Sequence, residues 1–166
     1  MTSSFILKTL LIYLTIFTFY ASTWPNHAGT CDVKEVDQSP HAGDKGENIV
    51  QGNGGYNITV KKENDHYLFI LAGPEAIRGL LVYVEDKDGK RFGEFTLDNK
   101  LLQYKDCEGE GKGNTITHTS NDPKTLPLEL KWKSDNSSFG DAVVRSVVVI
   151  DFNHWYHLDD VKCSSS

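Results

Sequence analysis

At 166 residues, with 39% hydrophobic residues and a formal charge of −6, the chain is long enough for one domain with a real core. Its acidic balance and scattered basic residues disfavour docking on nucleic acid or on an anionic membrane, since both need clustered positive charge.

Lys8 is followed by the apolar run Thr9 to Tyr20 and then by small residues at Ala21-Ser22-Thr23. That layout reads as a signal peptide over residues 1–23, its apolar run being too short for a comfortable membrane span. Cleavage after Thr23 would remove Lys8, the one charged side chain there, and leave the remainder more acidic. The expectation is a secreted, extracellular protein without stable membrane insertion.

Residues 24–54 are polar and rich in Gly, Asp and Asn, with isolated Val33, Val36, Ile49 and Val50. They predict an extended lead-in tied down at Cys31. From residue 55 the chain changes to short apolar segments bounded by turn formers. Tyr56 to Val60 and His66 to Ala72 predict two strands, with Gly73-Pro74 ending the second. Ile77 to Glu85 and Arg91 to Leu97 predict a hairpin across Asp86-Lys87-Asp88-Gly89-Lys90, where Gly89 can take the positive φ a tight turn requires.

Asn114 to Thr119 predicts a weaker strand. Leu126, Leu128, Leu130 and Trp132 alternate with Pro127, Glu129, Lys131 and Lys133, the period of a strand with one wet face. Pro127 implies an edge position or a strand beginning. Ala142 to Phe152 carries β-branched residues on both faces and predicts a central strand. No segment after the leader shows a sustained helical period. The fold class is therefore all-β, an immunoglobulin-like antiparallel sandwich over residues 55–163 with a flexible tail at 164–166. Trp132, Phe69, Phe95, Tyr83 and the Val147 to Ile150 cluster are its candidate core.

Cys31, Cys107 and Cys163 form no C-x-x-C pair; in an exported chain they read as one disulfide plus one cysteine left over, with the pairing open. Asn57-Ile58-Thr59 and Asn136-Ser137-Ser138 are candidate N-glycosylation sequons at Asn57 and Asn136. His154 and His157 flank Trp155-Tyr156, but residues three apart on a strand face opposite sides, so no metal site is assigned. Asp86 and Asp88 lack the further oxygen ligands of a calcium loop. Gly109 to Gly113 lacks the remainder of a phosphate-binding loop. His118, between two threonines, predicts a structural ring bonded to backbone near the disulfide. Trp155 and Tyr156 are possible ligand contacts, with core packing as the alternative. No nucleophile–base pair, cofactor fingerprint or closed metal set emerges, which predicts a non-enzymatic binding protein with no cofactor.

Read together, several marks resemble a known module. They are Tyr56-Asn57-Ile58-Thr59-Val60, Ile77-Arg78-Gly79-Leu80-Leu81, Asp86-Lys87-Asp88-Gly89 leading to Gly93-Glu94-Phe95, Cys107, Ile116-Thr117-His118, Leu130-Lys131-Trp132, Gly140 and Trp155. Cys31 with Pro40-His41 adds a matching lead-in. This pattern resembles the reeler domain, found in reelin, F-spondin and ferric-chelate-reductase-like proteins, and alone in small secreted insect defense proteins. The chain departs from it at Leu80, where the family usually has an aromatic, and at Asp141, where spondin-like members have a cysteine that pairs near the C-terminus.

The resemblance implies an immunoglobulin-like sandwich, a Cys31–Cys107 bridge and an unpaired Cys163. A monomer or a Cys163-linked dimer follows. It also implies a role in innate defense, with microbial surface polysaccharide or lipid as partner. An extracellular matrix or adhesion component binding host proteins is the alternative, and fold alone does not choose between them.

Overall fold

The structure is a computed structural model that describes residues 26–43, 46–49, 51–107, 111–134 and 142–163. The leader at 1–23, the sequon at Asn136, the Gly140-Asp141 step, Gly109 and Glu110 of the Gly109 to Gly113 loop and the tail at 164–166 lie outside these residues.

Among the described residues ten strands form two antiparallel sheets. They are β1 (Asn57–Lys62), β2 (Tyr67–Ala72), β3 (Gly79–Glu85), β4 (Glu94–Thr96), β5 (Leu102–Tyr104), β6 (Thr115–His118), β7 (Leu128–Lys133), β8 (Ala142–Val149), β9 (Trp155–His157) and β10 (Val161–Cys163). The smaller sheet runs β1-β2-β7-β4 and the larger β10-β8-β3-β6-β5, with β9 also on β8. The sequence predicted this class of fold, and the sandwich is what its period-2 segments build.

β7 shows the period most simply. Leu128, Leu130 and Trp132 are buried while Glu129, Lys131 and Lys133 are exposed, so one face seals the core and the other is solvated. Its preceding peptide, Leu126-Pro127, is cis, and Pro127 stands just before the strand, where no ladder hydrogen bond is lost. Between the sheets Phe69 stacks on Trp132 with ring centroids 5.9 Å apart, and Phe95 meets Phe69 edge-on at 5.9 Å. Burying aromatic side chains of this size stabilises the fold by about 1.5–3 kcal/mol each.

β3 and β8 are buried on both faces. Leu80, Val82 and Val84 of β3, with Val144 and Val148 of β8, point into the core between the sheets. Leu81, Tyr83 and Val147 point the other way, into a second cluster with Val33, Val36, Ala42 and Trp155. The lead-in is thus not the extended segment expected. It folds into two short 3-10 helices, Val33–Gln38 and Pro40–Ala42, that lie on the outer face of the larger sheet. Asp32 caps the first by accepting from the Lys34 N–H at 2.9 Å, and Pro40 begins the second, where its missing N–H is harmless.

The predicted hairpin is also corrected. Its turn forms as expected: the Asp86 carboxylate accepts from the N–H groups of Asp88 and Lys90, each at 2.9 Å, and Gly89 has φ 77°. Pairing then stops after the single bridge between Glu85 and Arg91. Gly93, at φ 70°, turns the chain into the other sheet, where Phe95 pairs with Trp132. A Cβ on Gly93 would lie 2.4 Å from Trp132 Cζ2 and 2.7 Å from the Lys133 carbonyl. Only glycine lets the backbone pass that close to the indole.

β8 ends at Val149 rather than running to Phe152, because Ile150 to His154 closes a turn in which the Ile150 and Asp151 N–H groups donate to the His154 carbonyl. The three-residue strands β5, β9 and β10 had no period long enough to read. β6, expected to be weak, is wholly buried.

Two substitutions separate backbone strain from steric conflict at these glycines. Gly89→Ala, with nothing within 4 Å of the new methyl, should lower the unfolding free energy by about 1 kcal/mol, the penalty of a side chain in left-handed backbone. Gly93→Ala adds overpacking against Trp132 and should cost about 3 kcal/mol or more. Urea unfolding of both variants measures the difference, and equal losses would refute the close-approach role of Gly93.

Candidate functional site

The lead-in is fastened to the sandwich by the Cys31–Cys107 disulfide, whose Cα atoms are 5.8 Å apart across a sequence separation of 76. Around it sits a compact polar cluster. The Arg91 guanidinium lies 3.7 Å from the centroid of the Tyr83 ring, donates from Nη1 to Thr115 Oγ1 at 2.9 Å and from Nη2 to the Cys31 carbonyl. Such a planar cation over an aromatic face is favourable where water is excluded. The Tyr83 hydroxyl donates to Asp32 Oδ1 at 3.2 Å. Burial, with the Asp32 charge beside it, pushes the Tyr83 phenol up to about 12, so it remains a donor at neutral pH.

The Arg-Gly and Thr-His marks meet at the far end of β6. Leu80 N–H donates to His118 Nδ1 at 3.3 Å. Gly79 makes room for the ring, since a Cβ there would lie 3.1 Å from His118 Cε1. Thr117 Oγ1 donates to the Leu80 carbonyl at 2.9 Å and accepts from the Ala28 N–H at 2.8 Å, tying the lead-in to β3. His118 therefore binds backbone as expected, but not beside the disulfide. It pairs with Leu102 at one end of β5, whereas Cys107 lies beyond the other end.

Lys124 carries no signal in the sequence, yet its side chain is wholly buried. Its ammonium donates to the carbonyls of Arg78, Ser120 and Asp122 at 2.6, 2.8 and 2.8 Å, filling all three donor positions. Burial pulls its pKa below the ordinary lysine value, against the stabilising charge of Asp122. The site is a clamp on the loop before β7.

The C-terminal aromatic segment divides. Trp155 is wholly buried and donates from Nε1 to the His41 carbonyl at 3.2 Å, so it packs the second core and cannot meet a ligand. Tyr156 is half-buried against Tyr56, with centroids 5.8 Å apart. His157 Nε2 lies 2.8 Å from Asp37 Oδ1, while His154 Nδ1 lies 2.8 Å from Asp151 Oδ1. The two imidazoles go to different carboxylates, and among the described residues no group of three or more His, Cys, Asp or Glu could hold a metal.

Next to this segment, the aromatic ring that reaches solvent is Phe152, 48% exposed. It stands on the turn between β8 and β9 beside the lead-in. His41 Nδ1 donates to the Phe152 carbonyl at 2.9 Å, and the two rings are 5.1 Å apart at 42°. Asn48 Nδ2 donates to Asn153 Oδ1 at 3.2 Å. Asp151 shapes the turn by accepting from the Asn153 and His154 N–H groups, each at 2.9 Å. Partial burial opposes its charge, but those bonds and the His154 ring hold its carboxyl below the ordinary range. Reading Ala142 to Phe152 as one strand hid this corner.

Asn57 is exposed at the start of β1, with Thr59 exposed on the same strand. Cys163 is free, but it lies on β10 opposite Ala142 and is 1% exposed. Burial pushes its thiol up to about 12, so a Cys163-linked dimer would require β10 to leave the sheet.

A family model of the reeler domain matches residues 21–165. Among solved structures the chain is similar to the reelin-N domain of F-spondin, at 16% identity and a TM-score of 0.54, covering 70% of this chain and 90% of that one. It is similar also to the human F-spondin reeler domain in two crystal structures. One is 13% identical with a TM-score of 0.54, covering 70% of this chain and 93% of that one. The other is 14% identical with a TM-score of 0.52, covering 72% and 98%. None of the curated proteins matches the chain.

Removing the covalent tie tests its weight. The double variant Cys31→Ser, Cys107→Ser should lose about 4 kcal/mol on the chain-entropy account of a bridge this long, with a red shift of tryptophan emission as the cover over Trp155 loosens. An unchanged unfolding midpoint would contradict this. Lys124→Met should lose about 2–4 kcal/mol, because three carbonyls are stranded without their donor. Thermal unfolding checks it, and a loss below about 1 kcal/mol would mean that water replaces the ammonium.

Proposed function

Because the chain belongs to the reeler domain family, we propose that it is a secreted, non-enzymatic binding protein of innate defense that recognises microbial surfaces. The observation that carries this reading is the loop corner at Phe152, where an exposed ring and side-chain amides are held by a disulfide-fastened lead-in. A rigid polar and aromatic surface of this kind suits recognition, since little ordering is left to be done on binding.

Compartment and surface chemistry support it. Residues 1–23 have the layout of an export signal, and a disulfide persists in oxidising compartments. Among the described residues no helix is long and apolar enough to cross a membrane. Glycans at Asn57 and Asn136 would be in keeping with that route. The matrix or adhesion reading draws its support from F-spondin, whose reeler domain the fold resembles.

Secreted, disulfide-intact protein incubated with whole bacteria and fungi should sediment with the cells and be released by soluble envelope polymer. Folded protein that stays in the supernatant with every organism, yet is retained on immobilised host matrix, would replace the defense reading with the matrix one.

A further inference from the structure

We propose that the corner joining the β8–β9 turn to the lead-in is the recognition face, and that it takes the uncharged sugar rings of a neutral polysaccharide. This deepens the binding reading above and rests on it.

Single exposed apolar side chains are ordinary on a protein surface. Here two of them flank one hydrogen bond, Ile49 following Asn48 and Phe152 preceding Asn153. Among the described residues the exposed large hydrophobic side chains are Phe152 at 48%, Ile49 at 40% and Tyr104 at 37%. Phe152 and Ile49 come from segments about a hundred residues apart in sequence, and three hydrogen bonds join those segments. They are His41 to the Phe152 carbonyl, Asn48 to Asn153, and Trp155 Nε1 to the His41 carbonyl. The sandwich does not need the turn to expose an aromatic. Trp155, three residues on, already gives the second core an aromatic side chain from this segment.

The chemistry selects the ligand. An aromatic face is electron-rich and attracts the weakly positive C–H groups that line one side of a pyranose ring. Each asparagine amide has two donors and an acceptor of two lone pairs. The single bond between Asn48 and Asn153 therefore leaves both able to bind hydroxyls at the rim of the Phe152 ring. Amides match hydroxyls, which also donate and accept, better than they match an anion. Charge argues the same way. The turn Ile150 to His154 contains no Lys or Arg and carries Asp151, and the chain carries −6. Phosphate-bearing lipopolysaccharide would be repelled.

The geometry is fixed in advance. Asp151 holds the turn through the N–H groups of Asn153 and His154, and the His41 ring supports Phe152 at 5.1 Å. A ligand that covers Phe152 then binds a shape that already exists.

The test uses full-length secreted protein and calorimetric titration with laminarin, a neutral β-glucan, with yeast mannan, and with lipopolysaccharide, alongside the whole-cell sedimentation. Wild-type protein should bind laminarin or mannan and ignore lipopolysaccharide. Phe152→Ala should weaken that binding at least ten-fold with an unchanged melting temperature, Phe152→Trp should retain it, and Asn48→Ala or Asn153→Ala should lose a smaller factor. Neutral-glucan binding that Phe152→Ala leaves intact would overturn the assignment of the face while keeping the function. Sedimentation with cells but titration by lipopolysaccharide alone would overturn the ligand class. Protein that binds no polymer and no cell would remove the functional reading itself.

Discussion

The structure turns on the apolar outer face of its larger sheet. β3 and β8 carry large side chains on both sides, so packing the two sheets together leaves Leu81, Tyr83, Val147 and Trp155 still to be covered. A sandwich with two layers cannot do this, because its outer faces are meant for water. Val33, Val36 and Ala42 supply the third layer. The segment that carries them has no place in either sheet, and it is held by the disulfide, by Arg91 under the Cys31 carbonyl and by Thr117 under Ala28.

That cover also creates the candidate site. His41 lies within the second 3-10 turn and the Asn48 N–H donates to the carbonyl of its last residue, Ala42, while their partners Phe152 and Asn153 stand on the turn that presents Trp155 to the second core. Core and candidate site share one junction: Ala42 and Trp155 are buried in the second core, and their chain neighbours His41 and Phe152 to Asn153 lie at the surface. Sites mounted on such rigid junctions keep their geometry better than free loops.

Where a periodic pattern ran for six residues or more, the sequence declared its strand: β7 alternates cleanly and β8 shows its two buried faces. The crossing after Asp86 to Lys90 was not legible, because a hairpin and a sheet-switching turn use the same turn residues. The difference lies in Gly93 and in the indole of Trp132 far along the chain, a contact that local pattern does not contain. Lys124 failed for a related reason. A lysine between Pro123 and Thr125 looks like any solvated loop residue, and only three converging carbonyls make it a buried clamp. The Phe152 corner was hidden because a run of β-branched residues has no mark for where the strand stops. His118 was right in kind and wrong in place, since its register fixes it to Leu80.

The two cysteine positions show how covalent and noncovalent restraint are divided. β10 is paired to β8 by backbone across Val161, Lys162 and Cys163, and the Cys163 side chain is buried among core residues, where a thiol behaves as a small hydrophobe. This edge is held without a covalent bond, by ladder and burial. The lead-in has no such alternative. Its 3-10 turns satisfy their own backbone and offer nothing to a sheet edge, so its contacts are side chain and apolar surface, each individually weak. A covalent closure acts where cooperative pairing is absent, and the single disulfide falls on the one layer of the fold that no β ladder secures.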